Sequence, residues 1–399
     1  MTLLLFNIFM FFMIIIDVGR YEHKITSLAI IGTIYTVLID FNNLLLCNIY
    51  NYYMVEDRVL WILLAFFFMI FIIDLFFGTI YRNTHKIDTS ITVRFQSYQL
   101  VTMLFFIGAT AYIIQFLRLY LSRGLDIKGS NNGILGHLSS FAFILGPVSF
   151  DLAIQSRKKI RIVFSALLNL LVLMISVLFG GKYVVFINLT YFILYFLLKR
   201  NKKIEIRKII KIGVILILAA VGVFFLIYYV IPRVTGQYKS TIEFTIQHMF
   251  DYLIGSITAN NTTVNRAGEG NPNIPFTVFI NIGKALTGDH NYVSNIYPFV
   301  FPIRETYMTN VSGFFGETIY DLGIDGALIY TLVVFVIINI FCLEYRAKNL
   351  FYLSFCYSCA MTAFLFFCNF ISVSGVVLPL MLAFVMDLLS MCRFGNHHV

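Results

Sequence analysis

Long apolar runs recur along the chain, and short stretches rich in Lys, Arg, Asn and Tyr separate them. A helix needs about 20 apolar residues to cross the hydrocarbon core of a bilayer, fewer or more when tilted. Runs that meet this requirement fall at 2–16, 25–46, 59–80, 98–117, 134–153, 162–179, 183–198, 209–231, 323–343, 349–371 and 373–391. The pattern predicts an all-α integral membrane protein of about eleven spans. Along the chain it divides into an N-terminal bundle (1–231), a long connector (232–322) and C-terminal spans (323–399). Residues 2–16 lack a basic leader and a small-residue cleavage site, so they are expected to stay as a span.

Lys and Arg set the orientation. Arg20 and Lys24; Arg82, Lys86 and Arg94; Arg157, Lys158, Lys159 and Arg161; seven between Lys199 and Lys211; then Arg346, Lys348 and Arg393 all fall on one side of this threading. Basic clusters in short loops stay in the cytoplasm. The connector 232–322 is therefore expected outside, and the C-terminus inside. Within the connector, apolar stretches such as Phe276–Ile282 and Tyr297–Phe301 are interrupted by Pro272, Pro275, Pro298 and Pro302. Segments of this kind predict short helices at the outer interface.

Composition supports this reading. Hydrophobic residues make up 59% of the 399, and charged residues only 12%, against about 25% in soluble domains. A soluble core of this size cannot bury that much apolar surface. The net charge of +9 sits in topology-setting clusters and not on a phosphate-reading face, so no nucleic-acid partner is expected. Cys356 and Cys359 have half the spacing of a metal site but no second half, and are expected to be small buried apolar residues. No metal or cofactor is expected. No internal repeat or broken-span pair marks a transporter.

The densest candidate chemistry runs from Thr309 to Gly326. If helical, Asn310, Gly313, Glu317 and Asp321 share one stripe. Two carboxylates four residues apart raise each other's proton affinity, and a desolvated one can act as a base. The plainer reading is that these acids sit near the outer N-terminus of a span, where the helix dipole favours them. Asp325 is expected at the interface. Lys182, after Gly180 and Gly181, is either a cation for a phosphate or a snorkelling anchor. The connector adds Arg233, Lys239, Arg266, Lys284 and Arg304, with Arg118 and Arg123 on the same side. Arg presents a planar fork suited to diphosphate oxygens, which favours Arg266 and Arg304. His248 and His290 are candidate acid–base groups or plain surface histidines, and His137 is expected to bond between helices.

Three blocks in order resemble a known family. They are Gly180-Gly181-Lys182 leading into an apolar span; Phe250-Asp251-Tyr252-Leu253-Ile254-Gly255-Ser256, followed by Pro275-Phe276-Thr277; and Asn310-Val311 with Gly316, Tyr320-Asp321-Leu322-Gly323 and Gly326. Together they resemble the oligosaccharide repeat-unit polymerases of surface polysaccharide assembly, the O-antigen polymerase (Wzy) family. The resemblance implies a C-type glycosyltransferase-like architecture in the bacterial cytoplasmic (inner) membrane, with its active face outside. It implies an undecaprenyl-diphosphate-linked oligosaccharide as donor and another as acceptor, joined with release of undecaprenyl diphosphate. It further implies membrane lipid, a chain-length regulator of the Wzz type and a flippase as partners. Carried onto this chain, Glu317, Asp321 and His290 take acid–base roles. Lys182, Arg266 and Arg304 take the diphosphate, and Asn310, Tyr252 and Tyr320 the sugars. Lys182 stands where relatives often carry Arg. Ser312 stands where the related O-antigen ligases carry a His, which favours polymerase over ligase. A transporter or flippase of lipid-linked glycans is the rival from another class, and is expected to carry buried charge in many spans.

Overall fold

The computed structural model describes every residue except 21–25, 84–97, 124–133, 180–181, 200–217, 219–220, 231–232, 234–240, 290, 295–300, 306, 349 and 393–399. Among the described residues, seven helices are long and apolar enough to cross a membrane: Thr2–Arg20, Ser27–Tyr50, Asp57–Asn83, Leu100–Ser122, Leu135–Gln155, Lys159–Leu178 and Gly313–Ala347. Their apolar residues face two ways. In the first, Phe6, Met10 and Met13 are buried, while Leu4, Phe9, Phe11 and Phe12 are exposed. Only a helix with protein on one side and hydrocarbon on the other has use for both. The chain is an all-α multi-pass membrane protein.

The principal elements are α1 (Thr2–Arg20), α2 (Ser27–Phe41), α3 (Asp57–Asn83), α4 (Tyr98–Arg123), α5 (Ser140–Gln155), α6 (Lys159–Leu178) and α7 (Lys182–Lys199). They continue with α8 (Ile242–Thr258), α9 (Thr277–Thr287), a hairpin of β1 (Phe301–Arg304) and β2 (Tyr307–Thr309), then α10 (Gly313–Lys348), α11 (Tyr352–Ala363) and α12 (Ser374–Cys392). The chain groups into two compact units. One holds residues 1–89, 248–350 and 361–377, the other 90–247, 351–360 and 378–399. The long connector therefore does not stand apart: from His248 onward it folds with the first three helices.

In the first unit, α3 packs against both α1 and α10. Tyr35, Phe66 and Phe67 surround Phe315 with ring centroids 5.1–5.3 Å away. α2 runs on through a π-helical segment, Asn42–Leu46, a wider turn often found at functional places. Its Asn side chains clamp the strand-like stretch that follows: Asn42 Nδ2 donates to Tyr53 O (2.9 Å), and Asn43 Oδ1 accepts from Val55 N (2.9 Å).

In the second unit, α4 to α7 pack together. Tyr112 lies between Phe143 (5.4 Å) and Phe179 (5.2 Å), and the Tyr191 hydroxyl donates to Ile144 O (3.0 Å). Asp387 accepts the N–H groups of Leu353 (3.2 Å) and Ser354 (2.9 Å) at the start of α11, where unpaired helical donors need an acceptor.

Two expected features come out differently. Residues 349–371 are not one span. α11 ends at Ala363, a coiled stretch follows, and a 3-10 turn forms at Phe370–Ser372. The break has a purpose: Phe367 O and Leu365 O accept from Gly313 N (3.2 Å) and Phe314 N (2.8 Å), the orphan donors at the start of α10. Non-helical backbone among spans is tolerated where protein satisfies it in this way. Second, α10 is broken at Gly323 (φ 72, ψ 174), a left-handed conformation that Gly adopts without a Cβ penalty. The break frees the carbonyls of Ile319 and Tyr320, which accept from Gly268 N (3.1 Å) and Gly270 N (2.8 Å). The expected span 183–198 appears as α7. Of 209–231, Val221–Val230 is a shorter apolar helix, and most of the rest lies outside the described residues.

Candidate functional site

Two groups of polar residues in the first unit hold several of the residues expected at the site. The first is built on α8, where His248, Asp251 and Tyr252 occur at i, i+3 and i+4 and so share a face. The hairpin brings Arg304, paired with Tyr307 in its register. Tyr52 comes from the stretch that the α2 asparagines clamp. Asn261 braces the same stretch by donating to Met54 O (2.7 Å) and accepting from Glu56 N (3.1 Å), and Tyr53 N donates to Ile303 O (2.9 Å) on β1. Beneath lies an apolar cluster of Leu46, Ile254, Ala259, Ile274, Phe301 and Ile303.

The Asp251 carboxyl is the centre of this group. Its Oδ1 accepts from the Tyr52 hydroxyl at 2.6 Å, and its Oδ2 faces Arg304 Nη2 at 3.4 Å and His248 Nδ1 at 4.0 Å. The Tyr307 hydroxyl lies 3.4 Å from His248 Nδ1. The Arg304 guanidinium sits over the rings of Tyr307 (5.0 Å) and Tyr52 (5.8 Å). Tyr252 meets His248 edge-on at 4.9 Å and stacks on Phe367 at 5.6 Å. Arg304 is 17% exposed and Asp251 4%, yet Arg304 Nε is buried with no partner. Burial raises the Asp251 carboxyl above the ordinary carboxylate range, against the Tyr52 hydroxyl and Arg304, which hold it down. Burial and Asp251 push the Tyr307 phenol up to about 12, and burial raises Tyr252 and Tyr52 as well. All three phenols are therefore hydrogen-bond donors at neutral pH.

The second place surrounds the start of α10. Glu317 and Asp321 lie four residues apart on its first segment, each 3% exposed. Glu317 Oε2 accepts from Asn369 N (2.8 Å), and Asp321 Oδ1 accepts from Asn271 N (3.0 Å). Gly270 passes so close that a Cβ there would stand 2.2 Å from Asp321 Oδ1 and 3.0 Å from Asp321 Cα. The helix begins at Gly313, so Asn310 is half-buried ahead of it and off the stripe.

Two of the remaining candidates, Arg266 and Tyr320, meet each other. Arg266 lies over the Tyr320 ring (5.4 Å), which meets Phe301 edge-on (5.3 Å). Arg266 Nε donates to Glu269 Oε2 at 2.6 Å, and that hydrogen bond raises the already high guanidinium value. Lys182 opens α7 in the other unit, and His290 lies outside the described residues. Among the described residues, no group of three His, Cys, Asp or Glu has metal-site geometry.

Of the nine residues expected to form the site, then, Arg304 and Tyr252 come together in the first group, and Glu317 and Asp321 in the second. Asp251, His248 and Tyr52 complete the first group. Asp251 was visible only as a letter of a motif, and Tyr52 lies 199 positions away from it, so no local signal pairs them.

The first group can offer the Arg304 cation to an anion, accept a proton at His248 or Asp251, and hold polar rings against tyrosine faces. Comparison with protein-family models, with curated proteins and with solved structures returns no match.

Proposed function

We propose that this protein is a metal-independent membrane glycosyltransferase that joins undecaprenyl-diphosphate-linked oligosaccharide repeat units on the outer face of the bacterial cytoplasmic membrane. One observation carries the reading. A cation, an acid, a histidine and three tyrosines drawn from three distant stretches converge, with one buried guanidinium nitrogen left unbonded. The motif resemblance supplies the substrate class. Its C-type glycosyltransferase-like architecture remains part of the proposal.

In this reading the non-reducing-end hydroxyl oxygen of the acceptor attacks the anomeric carbon of the donor glycan. The bond from that carbon to the diphosphate oxygen breaks, and undecaprenyl diphosphate leaves with the electron pair. Arg304 faces the charge that develops on the leaving group, which is where a pre-placed cation lowers the barrier most. His248 takes the proton of the attacking hydroxyl, and Asp251, which faces its Nδ1, steadies the imidazolium that forms. Tyr252, Tyr307 and Tyr52 offer ring faces and hydroxyls to sugars. Glu317 and Asp321 serve as positioning residues.

The rival transport reading has one observation in its favour: Asp17, Asp74, Asp151 and Asp387 are buried in the spans, and buried charge there is often functional. One assay separates the two. Purified protein in detergent, with no sealed vesicle, is given lipid-linked repeat units, and the products are resolved by size. Polymer ladders that disappear in His248→Ala and Arg304→Ala are expected. Unchanged single units with wild-type protein, alongside movement of the lipid across sealed vesicles, would overturn polymerisation.

A further inference from the structure

The first unit also holds a buried acid pair that the proposed chemistry does not use. Asp17 of α1 and Asp74 of α3 are both fully buried. Asp74 accepts at both oxygens: Oδ2 takes the Leu28 N–H (3.0 Å) and Oδ1 takes the Asn339 amide (2.6 Å). That amide also donates to Phe335 O (3.0 Å), which fixes which way it points. On Asp17, Oδ2 accepts from the Thr26 hydroxyl, whereas Oδ1 is buried and no donor reaches it. The two carboxyl groups lie within hydrogen-bonding reach of each other, and the Arg346 guanidinium acts on both. Arg82, in the last turn of α3, is spent on the carbonyls of Arg20 and Gly19 (2.9 Å each).

Ionised carboxylates only accept hydrogen bonds. Two in contact therefore bond to each other only through a proton, and away from water like charges at this range cannot both persist. One guanidinium balances one carboxylate. The donors identify which one: Asp74 already receives two N–H groups, the environment of an anion, while Asp17 has an oxygen that nothing donates to, the environment of an O–H.

We propose that Asp17 and Asp74 form a one-proton binding site inside the membrane bundle. The proton resides on Asp17 and is donated to Asp74, and Arg346 balances the single remaining charge. The site ties together α1, α3 and α10, the helix whose other end carries Glu317 and Asp321. It stands whether the protein polymerises glycans or moves them.

The test is the infrared difference spectrum of purified wild-type protein minus Asp17→Asn in detergent at neutral pH, with thermal unfolding of both. A carboxylic-acid C=O band present in wild type and lost in Asp17→Asn is expected, shifting in deuterated water. An amide at 17 still accepts from Thr26 and donates to Asp74, so Asp17→Asn is expected to unfold near the wild-type temperature. Asp74→Asn, whose NH₂ group must face one of the two donors while its oxygen serves the other, is expected to unfold well below it. A difference spectrum without the acid band would overturn the proposal. Equal destabilisation by the two substitutions would do so too. Sodium-dependent stabilisation of wild type that Asp17→Asn abolishes would place a metal ion where the proton is assigned, with the same consequence.

Discussion

Asp251 and the pair Glu317/Asp321 are acids of the same unit, all nearly buried, and they are bonded in opposite ways. Glu317 and Asp321 accept backbone N–H groups from Asn369 and Asn271. Those donors belong to chain segments whose path the bond holds, and they have no alternative partner once buried. Asp251 accepts instead from a tyrosine hydroxyl and faces a guanidinium and an imidazole. Side-chain donors rotate at little cost and can pass to a ligand. An acid that staples backbone builds the fold, and an acid ringed by side-chain donors can exchange one of them for a ligand. Carboxylate burial, equal in the two regions, does not distinguish them. The identity of the donors does.

The contrast is tested most severely by kinetics. Arg304→Ala is expected to lower polymerisation on the order of 10²–10³-fold, the usual effect of removing one charge-stabilising donor. Glu317→Gln, which keeps an oxygen to accept Asn369 N–H, is expected to leave the rate within a few-fold of wild type. Initial rates of ladder formation check both, and abolition by Glu317→Gln would make that residue the base and reverse the assignment. Next in size is Gly270→Ala. Its Cβ would collide with Asp321 and pry apart the contact that satisfies the freed Tyr320 carbonyl. A loss of about 1–3 kcal/mol is expected, read as a lower unfolding temperature in detergent, whereas an unchanged midpoint would show that the staple is dispensable.

The smallest effect concerns the Asp251 side of the comparison. Tyr52→Phe removes a hydrogen bond, a loss of about 1 kcal/mol. It also moves the pH profile. The Tyr52 hydroxyl holds the Asp251 carboxyl down against burial, so without it that carboxyl titrates at higher pH. The acidic limb of the rate profile, where activity falls as Asp251 takes up a proton, is then expected to shift upward. A limb that stays in place would detach Asp251 from the reaction.

Seven of the expected spans were legible because crossing a bilayer demands an apolar length, and that demand is met residue by residue along the chain. The span expected at 323–343 begins earlier, at Gly313, and the break at Gly323 lies inside it, where hydropathy gives no sign of it. Residues 349–371 read as one span because hydropathy cannot register that Leu365 and Phe367 carbonyls are needed by Gly313 and Phe314. Arg304 and Tyr252 were identifiable as residues but not as neighbours. Glu317 and Asp321 shared a stripe as expected, yet which donors they would meet was not written in their spacing.

The sequence by itself determined the solvent: the period and length of its apolar runs commit this chain to lipid, since local hydrophobicity alone decides between water and hydrocarbon. Only the tertiary structure decided which acids face backbone and which face side chains. It brought Tyr52 to Asp251, and it set Asp17 against Asp74. Those pairings are made by segments far apart in the chain, whose meeting depends on how the whole bundle packs.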